Sequence, residues 1–200
     1  MTTLPIRAAA TIVLWRDLGL GPEVLMGQRG AAAVFMPSKY VFPGGAVDDG
    51  DVAPASFVTP TCALRLSLLC PPSAPGPLAL AGAASRELAE ETGLSLSETA
   101  RMQFIFRAIT PPGRPRRFDA RFFLASASDI AGVCDDFSAA SDELSHLHWI
   151  SLAAAKHLDL PFITEVVIAE VAALLSGQDQ QAGVPFFDNS GETPSFRRLA

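Results

Sequence analysis

Several kinds of chemistry are missing from this sequence. Its three cysteines, Cys62, Cys70 and Cys134, form no C-x-x-C pair. An odd, scattered set argues against a disulfide framework and against a structural zinc site, and reduced thiols in a cytoplasm are the expectation. No apolar run reaches the roughly 18 residues that a membrane helix requires, and the opening MTTLPIRAAATIVLW reads as a strand rather than a signal peptide. No G-x-S-x-G elbow supports serine hydrolase chemistry, and no G-x-x-x-x-G-K-[ST] loop supports a P-loop nucleotidase. His146 and His148 would share a strand face, but without a third ligand they do not make a zinc site. Only 18% of residues are charged, and the formal net charge is −6. That balance speaks against a nucleic-acid backbone as the main partner and suits a protein that holds divalent cations.

What is present is apolar: 49% of the 200 residues are hydrophobic, enough to bury a sizeable core in one domain spanning 1–200. Ala8–Trp15 and Glu23–Arg29 read as strands joined by the Gly/Pro-containing RDLGLGP. Val41–Asp51 is a glycine-rich, acidic loop. Residues 52–80 differ in kind, with six prolines and a single charge, Arg65. Proline at that density prevents a continuous helix or a central strand. The apolar content is too high for a solvated linker, so the segment reads as an insertion packed on its own domain, on a second subunit in a homodimer, or on the rim of a site. Leu80–Leu94 favours helix, ended by Gly93. MQFIFRAIT, FDARFFLASAS and HLHWISL read as strands, and SLAAAKHL and PFITEVVIAEVAALLSG as helices. The tail from Gln178 is polar, punctuated by Gly and Pro, and reads as irregular. Strands and helices mixed in one short chain predict an α/β architecture.

The most informative stretch is RELAEETGL, Arg86–Leu94. Glu87, Glu90 and Glu91 stand at i, i+3 and i+4 and share one helix face, while Ala84 and Leu88 face elsewhere and can pack inward. Like charges about 6 Å apart repel by roughly 3 kcal/mol per pair at an effective dielectric near 20. A solvated acidic face is one answer to that repulsion. A bound magnesium or manganese ion is the other. The upstream FPGGAVDDGD favours the cation, because glycines let backbone approach a ligand closely and bare carbonyls can themselves be ligands.

These residues resemble the Nudix hydrolase box, G-x5-E-x7-R-E-U-x-E-E-x-G-U, where U is bulky and apolar. Gly45 is followed by five residues and then Asp51, and the second half is complete in Arg86, Glu87, Leu88, Glu90, Glu91, Gly93 and Leu94. Asp51 stands where the pattern has Glu, and 34 residues instead of seven separate it from Arg86. An insertion inside the box is similar to the coenzyme A diphosphatase branch of that family. So is the lead-in VLMGQRGAAAVFMPSKYVFPGG, in which Arg29 matches the first arginine of the coenzyme A signature and the second has no counterpart near Ala33 and Val34.

The resemblance implies an α/β/α sandwich with a mixed central sheet. It also implies metal-dependent hydrolysis of a diphosphate bond in a nucleoside diphosphate derivative: coenzyme A or acyl-coenzyme A first, nucleotide sugars or dinucleotides next, with a non-catalytic nucleotide-binding module as the remaining reading. It implies Glu90 and Glu91 as ligands of Mg2+ or Mn2+, with Glu87 at the metal or acting as base and a carbonyl of Gly44 or Gly45 completing the shell. Arg86 would brace Asp51; the shorter side chain of Asp51 would loosen that brace or draw the loop closer. Glu143, six residues before Trp149, matches the spacing of a further loop carboxylate in the family, as metal ligand or base. From the residues themselves, Arg114, Arg116, Arg117 and Arg121 could hold substrate phosphates or form a solvated basic loop. Phe35, Tyr40 and Phe42 could stack on a base or serve the core.

Overall fold

The computed structural model describes residues 4–177 and 183–200. Among these residues nine strands form one mixed sheet: β1 (Ile6–Asp17), β2 (Pro22–Arg29), β3 (Tyr40–Val41), β4 (Gly44–Ala46), β5 (Gln103–Ile109), β6 (Arg117–Ser126), β7 (Leu144–Ser151), β8 (Val184–Asp188) and β9 (Ser195–Leu199). The order along the sheet is β3-β2-β1-β6-β5-β8-β9, with β4 paired to β1 and β7 to β2. Helices α1 (Pro60–Leu69), α2 (Pro77–Thr92), α3 (Leu152–Ala155) and α4 (Phe162–Leu175) complete it. The expected α/β/α sandwich is what the chain forms.

Strand periodicity divides the side chains between two cores. On one face Ala10, Ile12 and Leu14 of β1 and Phe123 and Ala125 of β6 pack with Leu80, Ala84 and Leu88 of α2. On the other, Val13, Phe122 and Leu124 pack with Val167, Ile168 and Val171 of α4. Strand β5 breaks the alternation: Phe104 faces the first core, but Ile105 and Phe106 both face the second. The pairing of β5 with β6 shifts register between Phe104 and Phe106, and such a bulge is what lets two successive residues serve one face.

Strand β1 also sets up the site, because it changes partner along its length. Its later residues Trp15–Asp17 pair with β2, while Ala9–Thr11 pair with the short β4 at the FPGG turn. The glycine-rich stretch expected as loop is thus partly strand. Its backbone is pinned against β1, where Ile12 N–H donates to Pro43 O at 2.9 Å.

The insertion folds more regularly than its prolines suggest. Pro60 and Pro77 stand in the first turns of α1 and α2, where a missing N–H costs nothing. Thr59 caps α1 by accepting from Cys62 N–H. Phe57, Val58, Cys62 and Leu66 are buried in the α2-side core, so the segment packs on its own domain and leaves Leu64 and Leu68 exposed. The tail also departs from expectation. Residues 178–182 lie outside the described set, but beyond them β8 pairs parallel with β5, and β9 antiparallel with β8. Tertiary pairing overrides the turn-forming composition there.

Candidate metal and diphosphate site

The predicted box helix is α2, and every fixed apolar position serves it. Leu88 is fully buried and Leu94 nearly so. Gly93 closes the helix in the left-handed conformation (φ 76°), its N–H donating to Ala89 O. A side chain at Gly93 would also press within 3.0 Å of the backbone at Ala139 and Ala140. Ser141 N–H donates to Glu90 O at 3.0 Å, so the 139–143 loop is docked on the end of α2. That docking delivers Glu143 to the acidic face.

The brace between Arg86 and Asp51 is bidentate, with Nε to Oδ1 at 2.8 Å and the second contact to Oδ2 at 3.1 Å. Asp51 is nearly buried, and its Oδ2 also accepts from Asp48 N–H. The hydrogen bonds of Arg86 hold the Asp51 carboxyl below the usual carboxylate range, against the opposing pull of burial. The loop backbone touches α2 at Gly82, where a Cβ would fall 2.6 Å from Val52 N. Arg86 also donates to Ala46 O at 3.0 Å and reaches Glu87 at 2.9 Å and Glu90 at 3.1 Å.

The three box glutamates are not equivalent. Glu90 is exposed, while the Glu87 and Glu91 side chains are 13% and 2% accessible. Gly44 N–H donates to Glu91 Oε2 at 2.9 Å, and among the described residues Glu91 Oε1 is buried with no hydrogen-bond partner. A Cβ on Gly45 would fall 2.1 Å from Glu87 Oε1, so only a bare backbone admits that carboxylate. Burial raises the Glu87 carboxyl and pushes that of Glu91 up to about 8; the neighbouring charges of Glu87 and Glu143 add to the effect on Glu91. Glu143 is half-exposed, and its carboxylate accepts from Arg29 at 3.0 Å. Arg29 stands 4.0 Å from the orphaned Glu91 Oε1, and its own Nε is buried and unpartnered.

This arrangement fits a hard divalent cation. Its donors are all oxygens, one buried carboxylate oxygen lacks a partner, and glycine backbone lies against the carboxylates. Among the described residues no three carboxylate, imidazole or thiol groups form a ready cage. The guanidiniums of Arg86 and Arg29 hold the carboxylates instead.

Other predicted residues lie elsewhere. Arg117 is a correction: it is 6% exposed and donates to Thr110 O at 3.0 Å and to Asn189 O at 2.9 Å, tying β6 to the segment after β8. Its charge is spent on carbonyls, not offered to a substrate. Arg121 is buried as well, with one guanidinium nitrogen 2.9 Å from Asp119 Oδ2, and Arg107 chelates the same aspartate at 2.8 Å through two nitrogens. Sequence reasoning missed this pairing, although alternating Arg and Asp on neighbouring strands was its visible trace. Phe42 belongs to the α4-side core, and Phe35 stacks edge-on against Phe118. Tyr40 meets His148 edge-on and packs against the same core.

Solved structures of NUDIX proteins share this fold. A NUDIX hydrolase from Alicyclobacillus acidocaldarius is 26% identical, with a TM-score of 0.62 over 86% of this chain and 93% of that one. The NUDIX domain of Shewanella oneidensis NrtR, solved with ADP ribose, is 17% identical with a TM-score of 0.57 over 86% and 89% of the two chains. A C. elegans Ap4A hydrolase is 19% identical with a TM-score of 0.51 over 86% and 99%. No protein-family model matches the sequence, and no curated protein matches it. Among the described residues no helix is long and apolar enough to cross a membrane.

Proposed function

We propose that the chain hydrolyses a diphosphate bond in a nucleoside diphosphate derivative with the help of Mg2+ or Mn2+, and that coenzyme A or an acyl-coenzyme A is the leading substrate class. One observation carries the reading. The deepest box carboxylate, Glu91, is oriented by Gly44 N–H through one oxygen while its other oxygen is buried and unpaired. A buried carboxylate costs stability unless a cation compensates it.

Glu87, Glu90 and Glu91, with the carbonyls of Gly44 and Gly45, would hold the cation. When bound, the cation neutralises the diphosphate oxygens and the charge that grows on the leaving phosphate. The protein's own groups do the rest. Asp51 and Arg86 fix the glycine-rich turn against α2, which keeps Glu87 and Glu91 in place. Glu143, half-exposed beside both, is the group best situated to take a proton from an attacking water, and Glu87 and Glu91 share that carboxylate network. Arg29 would supply positive charge to a phosphate oxygen, and Tyr40 lies on β3, the strand leading into the glycine turn.

Support for coenzyme A comes from the insertion between Asp51 and Arg86 and from Arg29 ahead of FPGG. The test is product analysis with purified protein and Mn2+. Coenzyme A should yield 3',5'-ADP and a phosphopantetheine. Turnover of only nucleotide sugars, ADP-ribose or Ap4A would move the chain to another substrate class. No turnover of any diphosphate would leave a nucleotide-binding module, and unchanged turnover in Glu90→Gln and Glu91→Gln would remove the box carboxylates from the chemistry.

A further inference from the structure

We propose that Arg29 is a built-in rival of the metal: in the metal-free protein its guanidinium sits between Glu91 and Glu143, and cation binding frees it for the substrate. This rests on the metal-dependent reading above and adds a role for one residue within it.

Arg29 ends β2 with little freedom. Its N–H donates to Lys39 O, its carbonyl accepts from Ser38 N–H, and it stands opposite Leu144 of β7, the residue that follows Glu143. The side chain is thus aimed from rigid sheet into the carboxylates, and is 18% accessible. It bonds Glu143 at 3.0 Å but stops 4.0 Å from Glu91, too far for a hydrogen bond. Two buried atoms of opposite character are left over, the Arg29 Nε donor and the Glu91 Oε1 acceptor. Both have been removed from water without a partner in exchange, a state that a new ligand can relieve.

The charges point the same way. Among the described residues the cationic partners of Glu87, Glu90, Glu91 and Glu143 are Arg29 and Arg86, and Arg86 is already engaged by Asp51, Glu87 and Glu90. Arg29 pairs with Glu143 and faces Glu91, a carboxylate proposed above to hold the cation, whereas Arg86 keeps Asp51 whichever way Glu87 and Glu90 turn. A divalent ion on Glu91 would set its own charge against Arg29 and loosen the guanidinium from this corner. A planar, two-pronged donor is then left beside the ion, suited to phosphate oxygens. The same side chain would therefore oppose metal binding and favour diphosphate binding.

The experiment is calorimetric titration of Mn2+ alone into wild type, Arg29→Met and Arg29→Lys, followed by steady-state kinetics. Met, which keeps the stem and loses the charge, is expected to tighten Mn2+ binding at least tenfold while raising KM for the diphosphate substrate more than it lowers kcat. Lys, which keeps the charge, should fall between Met and wild type in Mn2+ affinity. Equal or weaker Mn2+ binding in Arg29→Met would overturn the proposal, since a purely structural or purely substrate-binding arginine has no reason to oppose the ion. Absence of Mn2+ binding in every form would instead refute the metal-dependent function itself. Should the variants fail to fold, wild type still decides: saturating Mg2+ without substrate must change the 15Nε–H resonance of Arg29 and speed its exchange with water. A resonance indifferent to Mg2+ sinks the idea.

Discussion

Replacing Glu91 by Gln should stabilise the metal-free protein while destroying its use. Burial, reinforced by Glu87 and Glu143, pushes the Glu91 carboxyl from an ordinary 4.5 up to about 8; the Gly44 hydrogen bond and Arg29 oppose the shift. The folded state therefore holds this proton more tightly than the unfolded state. Between pH 4.5 and about 8 the native protein binds more protons, so stability falls as pH rises through that window. At about 1.4 kcal/mol per pH unit the shift corresponds to about 5 kcal/mol as an upper bound. Gln avoids that cost and keeps an acceptor for Gly44 N–H, but its amide hydrogens would face Arg29, 4.0 Å from the present carboxylate. A net gain on the order of 2 kcal/mol at pH 8.5 is expected, or about 4–8 °C in Tm for a chain of this size. The assay is thermal unfolding in chelator at pH 5 and pH 8.5, repeated with excess Mg2+. The variant should melt higher only at pH 8.5, and Mg2+ should stabilise wild type more than the variant. A gain of equal size at both pH values, or no gain at pH 8.5, would refute the reasoning.

Asp51→Asn should cost about 3 kcal/mol in urea unfolding at pH 7, because it leaves Arg86 without its principal partner. The Asp51 carboxyl lies below its ordinary range, so its stabilisation is present above that range and fades as pH falls through the folded value; the variant should unfold with a flatter acid limb. Gly45→Ala should lower kcat at least tenfold by displacing the Glu87 carboxylate, with about 1–3 kcal/mol of stability lost to the added bulk; unchanged kinetics would show that Glu87 has no part in turnover. Arg117→Gln should lower stability by about 2–4 kcal/mol, since the buried carbonyl of Asn189 and the part-buried carbonyl of Thr110 lose their donor, yet leave KM of the folded enzyme unaltered.

The site was legible where local spacing does the work. The i, i+3, i+4 glutamates and the helix end at Gly93 follow from positions along one helix. The Arg86–Asp51 brace, across 35 residues, and Glu143, six residues before Trp149, were legible only through the resemblance to the Nudix family. Arg117 was not, because a guanidinium beside turn residues looks the same whether it meets solvent or the carbonyls of Asn189 and Ser190, more than 70 residues away. The parallel pairing of β8 with β5 escaped for a like reason: Val184–Asp188 carries no alternation of its own, and its partner lies far back in the chain. In the insertion, the prolines were read as obstacles to helix, whereas Pro60 and Pro77 begin helices.

The clasp between Asp51 and Arg86 has an uncommon geometry in the chain: its two halves are the ends of a tether 35 residues long. Closing so long a tether carries an entropy penalty that a short box would not, and ordered α1 with Phe57 and Leu66 seated in the core removes most of it in advance. Under the proposed function, alignment of the acidic face would therefore be coupled to the seating of α1. Loosening Phe57 or Leu66 should be felt at the acidic face as a misplaced turn, giving a folded but sluggish enzyme before it gives an unfolded one.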